Sequence, residues 1–419
     1  MLAVASPQSR LYLMLMHLTL YLFVATMQLE GLDWLGSGTD GTGHFTLSKC
    51  AGIVFTFFAL LQFSAWLNKI SGVVIAFGGY FALVVLVALG NGLFNLDKWY
   101  VVLLSPLQFG LMFLILSGLF TNDRVRNNCI LIFSFSGAAV ALLVLLGIGH
   151  PEATFASEVA DNARVTQSNV DPNWFCLQLD ISLVGLLGCL SGLVKVQLWV
   201  RALAGVFTLP ICVAIAMSGS RGGIIAALAG LTALSLLPRH RKWRLGFLAL
   251  TAFCIALILA VALQIPEMAA RIQMTLDSGY TSGRDTIAVA ALGLFKERPI
   301  LGYGSITAWK VLGESLGLAA RDSHNLITQT ALEGGVIGML IYWTTMGYCG
   351  FRIFALRRRA DMGLVGVLFI TLLAGNMGVN YQITKEHWFI MSLVVGCIGP
   401  MAETARWIPP SFAPSTIQT

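Results

Sequence analysis

Long apolar runs separated by short polar segments dominate the chain. Each run is close to the roughly 20 residues that a helix needs to cross the hydrocarbon core of a bilayer. The runs follow one another with no soluble domain between them, so we predict an all-α polytopic membrane protein forming a single domain over residues 1–419. The twelve predicted spans cover residues 11–29, 47–67, 70–90, 100–120, 128–148, 173–194, 197–217, 222–237, 244–264, 325–351, 362–382 and 386–403.

Composition excludes an ordinary soluble domain. The 419 residues are 57% hydrophobic and only 11% charged, and the mean hydropathy is +0.80. A soluble domain carries roughly 25% charged residues. A soluble core of this length could not cover so much apolar surface, whereas a bilayer can.

The basic residues predict how the chain is oriented. If the N-terminus is cytoplasmic, 15 of the 26 Lys and Arg residues fall on the inner side, together with only 3 of the 20 acidic residues. This asymmetry follows the positive-inside rule and places both termini in the cytoplasm. It also favours a topological role over nucleic-acid binding for the basic runs RHRKWR and RRR.

Two of the outward loops are long enough to carry function. The first covers residues 149–172 and the second covers 265–324. Within the second, Thr281 or Ser282 can cap a short amphipathic helix, and Pro299 ends it. The spacing of Ile287, Ala291, Leu294 and Phe295 gives this helix an apolar face.

His324 opens the polar stripe RDSHNLITQTALEGGVIG at the start of a span. With Asp322 or Ser323 as the helix cap, His324 would lie in the first turn, where the helix dipole disfavours a charged imidazole. A neutral imidazole can act as a general base. A structural histidine that only hydrogen-bonds a loop is the alternative.

Two arginines add positive charge on the same predicted side. Arg221, in SGSRGG, lies in an outward turn, where the positive-inside rule does not favour it. Arg284, in SGRD, lies at the start of the loop helix, and helix N-termini attract phosphate. A guanidinium matches phosphate with two hydrogen bonds. A structural carboxylate is an equally good partner for Arg221, and a surface pair with Asp285 is the alternative for Arg284.

The remaining polar residues give weaker evidence for a functional site than His324, Arg221 and Arg284 do. No His-x-x-x-His, Asp-x-Asp or CxxC pattern is present, so we predict no metal site and no cofactor. Arg164, Arg321 and Lys385 add outward charge, and His387 lies at another outward helix start. A structural or peripheral role is the better interpretation of Arg164, Arg321 and Lys385, and a structural role is the better interpretation of His387.

Taken together, three segments resemble the O-antigen ligase and polymerase superfamily, which also includes membrane O-oligosaccharyltransferases. They are SRGG at the start of a span, SGR followed by ERPILGYG in a large outward loop, and HN followed by Gln329 and EGGVIG at the start of the next span. The resemblance implies a GT-C-type fold with a large periplasmic loop in a bacterial inner membrane.

The resemblance also implies a reaction. The donor would be an O-antigen glycan on undecaprenyl diphosphate, transferred with inversion and without a metal. His324 would be the general base, and Arg221 and Arg284 would bind the diphosphate. Apart from the resemblance, we predict that Asn325, Gln329, Arg321 and Arg164 contribute to substrate binding. Asn325, Gln329 and Glu333 could instead orient neighbours or pack helices.

The acceptor stays open among three classes. A ligase transfers to lipid A-core, a polymerase to another lipid-linked repeat, and an oligosaccharyltransferase to a protein hydroxyl. We favour the ligase, acting as a monomer among membrane lipids with no nucleic-acid partner. A non-catalytic transporter of lipid-linked glycan is the alternative from another class. It predicts further charges deep in the spans, for which Asp180 and Glu333 are the clear candidates.

Overall fold

A helix lies at each of the twelve positions that the hydropathy pattern marks as spans. The computed structural model describes residues 7–30, 46–92, 99–148, 170–237, 241–278, 283–305, 307–318, 320–357 and 360–399. These ranges contain helices and no strand, which confirms the all-α class. The helices are α1 (Pro7–Met27), α2 (Leu47–Leu61), α3 (Gly72–Gly90), α4 (Trp99–Leu119), α5 (Asp123–Leu145), α6 (Pro172–Leu190), α7 (Leu198–Met217), α8 (Arg221–Ser235), α9 (Arg241–Gln264), α10 (Pro266–Ser278), α11 (Arg284–Glu297), α12 (Thr307–Ser315), α13 (Leu326–Leu356), α14 (Ala360–Asn376) and α15 (Lys385–Ile398).

Not all of these helices are long enough to cross a bilayer. In the described ranges six are long and apolar enough, or seven if α2 and the short 3-10 turns that follow it form one bent span. Three of the others, α8, α14 and α15, have only 15, 17 and 14 residues. The chain is therefore a membrane protein with at least six candidate spans, and the count of twelve stays a prediction.

Helices α6 and α15 form the centre of the bundle. Nearly every described side chain of both is buried, from Phe175 to Cys189 in α6 and from Lys385 to Ile398 in α15. Helices α5, α7, α8 and α14 pack on α6, and helices α4, α13 and α14 pack on α15. This arrangement leaves the outer helices with one exposed apolar face each, as expected for contact with lipid.

Helix α13 is broken at Gly335. This residue has φ 59° and ψ −158°, a backbone conformation that is essentially confined to glycine. The segment 299–304 runs into the break, where its peptide groups pair with the freed groups of the helix. Tyr303 N donates to Leu332 O (2.8 Å), Gly304 N donates to Glu333 O (2.9 Å), and Val336 N donates to Pro299 O (2.8 Å). The backbone groups opened by the break are thereby satisfied inside the protein, as a membrane requires.

Glycine at position 335 is required by space as well as by conformation. A Cβ there would lie 2.3 Å from the carbonyl oxygen of Ile300. We expect Gly335→Ala to lower the free energy of unfolding by about 2–5 kcal/mol, from backbone strain and overpacking. Thermal unfolding in detergent measures this. The matched control is Gly293→Ala on α11, where a Cβ meets nothing within 4 Å; equal stability of the two variants would contradict the account.

The segment between α9 and α13 holds three helices where the sequence predicts one. Helix α11 ends close to the predicted stop at Pro299 and buries Ile287, Ala291 and Leu294, as its spacing predicts. The suggested caps at 281 and 282 lie outside the described residues, and Gly283, with φ 74°, precedes the helix. A small second core joins this apolar face to Tyr303, to α12 and to Leu332 of α13. The segment is therefore packed against the start of α13 rather than lying apart from the bundle.

Candidate functional site

His324 lies just before α13 and not in its first turn. Asn325 is the cap, and its side-chain oxygen accepts hydrogen bonds from Ile327 N (2.9 Å) and Thr328 N (3.2 Å). The prediction that Asp322 or Ser323 caps this helix is therefore wrong. Ser323 Oγ instead donates to the carbonyl of Asn325 (2.8 Å), and His324 takes a left-handed conformation with φ 50°. His324 consequently shares no helical face with Thr328.

His324 and Asp322 face each other in a mostly enclosed position. Nδ1 of His324 lies 3.3 Å from Oδ1 of Asp322, and the two side chains are 15% and 11% exposed. Burial lowers the pKa of His324, because it penalises the charged imidazole, and the nearby Asp322 carboxylate only partly opposes this. Burial likewise raises the pKa of Asp322. The imidazole is therefore neutral at neutral pH, the form that a general base requires.

Removing the Asp322 carboxylate is expected to change the pH dependence of any reaction that uses His324. Asp322 raises the pKa of His324, so Asp322→Asn should lower that pKa further and move the acid limb of kcat/KM to lower pH. We also expect a plateau about 10- to 100-fold lower, since the imidazolium loses a charged partner. Asp277→Asn, at an exposed position of α10, is the control. An acid limb that does not move would show that Asp322 does not act on His324.

Arg221 and Arg284 each occupy the first position of a helix. Ser220 caps α8, accepting from Gly223 N (3.0 Å), and it donates to Asn173 Oδ1 (2.8 Å) beside the start of α6. Burial lowers the pKa of Arg284, and the positive charge of Arg221 lowers it further. Two guanidiniums are thus held close enough to repel each other at the meeting point of helix N-termini, an arrangement that favours an anion.

Glycines provide the space in which Arg284 lies. A Cβ on Gly378 would be 3.4 Å from Nη1 of Arg284, and a Cβ on Gly222 would be 3.9 Å from the same atom. The two glycines also approach each other closely, since a Cβ on Gly378 would be 3.4 Å from the Cα of Gly222. The second glycine of the SRGG motif, Gly223, packs against Cys176 of α6. The motif therefore lets α8, α14 and the start of α11 converge.

The structure places the three predicted catalytic residues at the starts of neighbouring helices. Nη1 of Arg284 lies beside Gly222, the residue that follows Arg221, and the charge of Arg284 acts on His324. Asp171, the cap of α6, acts on both Arg284 and His324 and was missed from the sequence. The sequence feature that could have identified Asp171 is DPNW, in which an acidic residue precedes a proline that starts a helix. The cluster therefore draws on the starts of α6, α8, α11 and α13.

The predicted substrate-binding residues differ in whether their side chains bond to the protein or are exposed to a ligand. Asn325 donates through Nδ2 to Met377 O (3.1 Å), so it ties the start of α13 to the end of α14. Arg321 is exposed, lies within electrostatic range of His324 and Asp322, and donates its backbone N–H to Trp309 O (3.0 Å). Arg164 lies outside the described residues. Arg321 is therefore available to an anionic ligand, whereas Asn325 holds the segment that carries His324.

Gln329 and Glu333 belong to a buried hydrogen-bond chain. Gln329 Oε1 accepts from Ser323 N (3.2 Å), and its Nε2 donates to Glu333 Oε1 (2.9 Å). Glu333 Oε2 accepts from Tyr80 OH (3.0 Å), which in turn accepts from Gln382 Nε2 (3.1 Å). Gln329 is fully buried. We therefore assign Gln329 to positioning the segment of His324, the alternative to substrate binding that the sequence left open.

Lys385 and His387 are structural, as the sequence suggests. Lys385 Nζ lies 2.6 Å from Glu30 Oε1 and donates to Ser48 Oγ (3.1 Å), which joins α15 to α2 and to the end of α1. His387 is fully buried, and its Nε2 lies 3.1 Å from Tyr342 OH. Among the residues described, no group of three or more His, Cys, Asp or Glu side chains is placed to hold a metal ion.

Residues 205–343 match the family model described as O-Antigen ligase. The match covers about a third of the chain and includes Arg221, Arg284 and His324, and it confirms the resemblance to the O-antigen ligase superfamily. No curated protein shows significant similarity to the chain. Asp171 and Gly378, which complete the cluster, lie outside the matched O-antigen ligase domain.

Proposed function

We propose that the protein is an O-antigen ligase, which transfers a glycan from undecaprenyl diphosphate to a sugar hydroxyl of lipid A-core. The observation that carries this proposal is the convergence of a neutral imidazole with two guanidiniums. His324, Arg284 and Arg221 come from three helix starts far apart in sequence, and all three lie inside the segment matched to the O-antigen ligase family. Such a set binds an anion and removes a proton in the same place.

Each group has one role in the transfer. His324 takes the proton of the acceptor hydroxyl, whose oxygen attacks the anomeric carbon from the face opposite the diphosphate. The bond from this carbon to the diphosphate oxygen breaks, and undecaprenyl diphosphate leaves with the electron pair. Arg221 and Arg284 stabilise the charge that develops on the leaving group. One displacement of this kind inverts the anomeric configuration, and the guanidiniums supply the positive charge without a metal.

Two aspartates act on the catalytic groups, Asp322 on the imidazole and Asp171 on a guanidinium. Asp322 lies beside His324 and would stabilise the imidazolium that forms as the proton is taken. Asp171 acts electrostatically on both Arg284 and His324 and would partly offset the charge of the guanidinium before the diphosphate binds. This division predicts that loss of Asp322 affects proton transfer more than donor binding.

We infer the location of the site from the loop charges. The orientation with both termini in the cytoplasm puts the starts of α6, α8 and α13 on the periplasmic side of the inner membrane. The donor and the acceptor are both amphiphiles that reach this side within the outer leaflet. A GT-C-type bundle with a large periplasmic segment, acting as a monomer, is the form we propose.

A complementation experiment tests the choice of acceptor. A ligase-deficient host that makes lipid-linked O-antigen receives the gene for this protein, and its lipopolysaccharide is separated by size. We expect long-chain lipopolysaccharide with the wild type and none with His324→Ala expressed at the same level. A host that stays without long-chain lipopolysaccharide, or that lengthens only the lipid-linked repeat, would refute the ligase and favour a polymerase. Glycan found on protein would favour an oligosaccharyltransferase.

A further inference from the structure

Asn173 joins two of the helix starts that form the site. It follows Pro172 as the second residue of α6, and it lies outside the segment 205–343 matched to the O-antigen ligase family. The residue is half-buried, between Asp171, which caps α6, and Ser220, which caps α8. Asn173 therefore contacts both caps from a position that the family match does not cover.

The side-chain amide of Asn173 uses both of its ends. Nδ2 donates to Oδ1 of Asp171 (2.9 Å), and the backbone N–H of Asn173 donates to the same oxygen (2.7 Å). Oδ1 of Asn173 accepts from Ser220 Oγ (2.8 Å), which itself accepts from Gly223 N (3.0 Å). An amide suits this place because one short side chain offers a donor to a carboxylate and an acceptor to a hydroxyl.

The carboxylate of Asp171 depends on these bonds for its position. Asp171 is exposed, and within the described part of the chain both hydrogen bonds that its side chain accepts come from Asn173. A hydrogen bond to a carboxylate is about twice as strong as one between neutral groups. Without the bond from Nδ2, this exposed carboxylate is free to turn into solvent.

Asn173 also borders the space that holds a guanidinium. A narrow crevice is lined by Asn173 and Ser220 together with Gly222 and Gly378. A Cβ on Gly222 would lie 3.9 Å from Nη1 of Arg284, and a Cβ on Gly378 would lie 3.4 Å from it. The link between α6 and α8 is therefore next to the guanidinium and not at a remote edge of the bundle.

We propose that Asn173 is a positioning residue for the transfer reaction. Anchored on Ser220 at the start of α8, it holds the carboxylate of Asp171 within electrostatic range of the base. The proposal rests on the proposed function, which makes His324 that base. It differs from a purely structural role, in which Asn173 would only stabilise the first turn of α6.

The titration of His324 distinguishes the two roles. Burial lowers the pKa of His324, Asp322 and Asp171 raise it, and Arg321 and Arg284 lower it. A variant that frees the Asp171 carboxylate should therefore move the titration of His324 to lower pH, whereas a loss of helix stability alone should not. NMR of histidine-labelled protein in nanodiscs follows this titration without any reaction, and His324→Ala identifies the signal.

Asn173→Ala is expected to move the titration of His324 to lower pH and to reduce kcat/KM for glycan transfer about tenfold, the value of one hydrogen bond to a charged group. The matched control is Asn122→Ala, which removes an amide cap from the start of α5. It should cost a similar loss of thermal stability and leave the titration and kcat/KM unchanged. If Asn173→Ala unfolds, Asn173→Ser takes its place, since it keeps a polar side chain too short to join both caps.

Asp171→Asn tests whether Asn173 acts through the carboxylate. It keeps a residue that caps helices and removes the charge, so it should itself move the titration of His324 to lower pH. Asn173→Ala added to Asp171→Asn should then give little further shift, because the effects of interacting residues are not additive. An unchanged titration or an unchanged kcat/KM in Asn173→Ala would overturn the proposal, and so would an equal further shift in the double variant.

The product made by the wild type decides the proposed function separately. Elongation of the donor in place of transfer to lipid A-core would refute the ligase, and the titration of His324 would still decide the role of Asn173. If the wild type transfers glycan to lipid A-core and Asn173→Ala leaves the titration unchanged, the positioning role fails and the proposed function stands.

Discussion

Replacing His324 by alanine is expected to lower the rate of glycan transfer by about 10²–10⁴-fold, the usual contribution of a general base. The loss should appear in kcat, because the proton is taken during the chemical step. Donor binding should stay close to that of the wild type, since the diphosphate is held by the arginines. Single-turnover transfer from a radiolabelled donor, with the donor Kd measured in parallel, separates the two effects.

The pH dependence gives this prediction a second readout. Burial lowers the pKa of His324 below its ordinary value of 6.5, so the neutral base persists into mildly acidic solution. The rate should fall only as the pH drops through that lowered value, and His324→Ala should lose this acid limb. His17→Ala, which removes a partly buried histidine of α1, is the control. Transfer that survives in His324→Ala with its acid limb intact would remove His324 from the mechanism.

Replacing Arg284 by alanine is expected to cost about 10²–10³-fold in kcat/KM, the range for losing one group that stabilises developing charge. Unlike His324→Ala, Arg284→Ala should also weaken binding of the donor. Arg284→Lys should recover only part of the activity, because an ammonium cannot form the paired hydrogen bonds of a guanidinium. Kinetics at varied donor concentration measure both effects.

The matched control for Arg284 is Arg352→Ala. It removes one positive charge from the other end of α13, where Arg352 lies over the ring of Tyr348. Its kcat/KM should equal that of the wild type. If Arg284→Ala retained wild-type kcat/KM, or if Arg352→Ala lost as much, the assignment of Arg284 to the diphosphate would be wrong.

The sequence was sufficient to locate the apolar helices of the bundle and to select the three candidate residues of the site. Helix positions follow from apolar runs, because a segment that crosses a membrane must satisfy its backbone hydrogen bonds within itself, as a helix does. Arg221, Arg284 and His324 could be selected because charged residues at the starts of apolar spans are costly and therefore informative. The helix α11 was visible because Ile287, Ala291 and Leu294 repeat at helical spacing.

What the sequence could not show depends on contacts between distant segments. The break at Gly335 exists because residues 299–304 fill it, and no local pattern links the two. Asn325 takes the cap in place of Asp322 because Asp322 turns toward His324 and Ser323 binds back to Asn325. Asp171 lies more than a hundred residues before Arg284 and His324 in the chain, so no local pattern places it in the site. Gln329 resembles a binding residue in sequence, and only its two buried partners show it to be a positioning residue.

The most direct test of the central claim is the product formed by the purified protein. Wild-type protein in liposomes is given undecaprenyl-diphosphate-linked glycan and lipid A-core in the presence of EDTA, and the products are separated and identified by mass. The account predicts glycan joined to lipid A-core with inverted anomeric configuration, and no such product from His324→Ala. Elongation of the donor without any transfer to lipid A-core, or transfer that His324→Ala carries out as fast as the wild type, would contradict it.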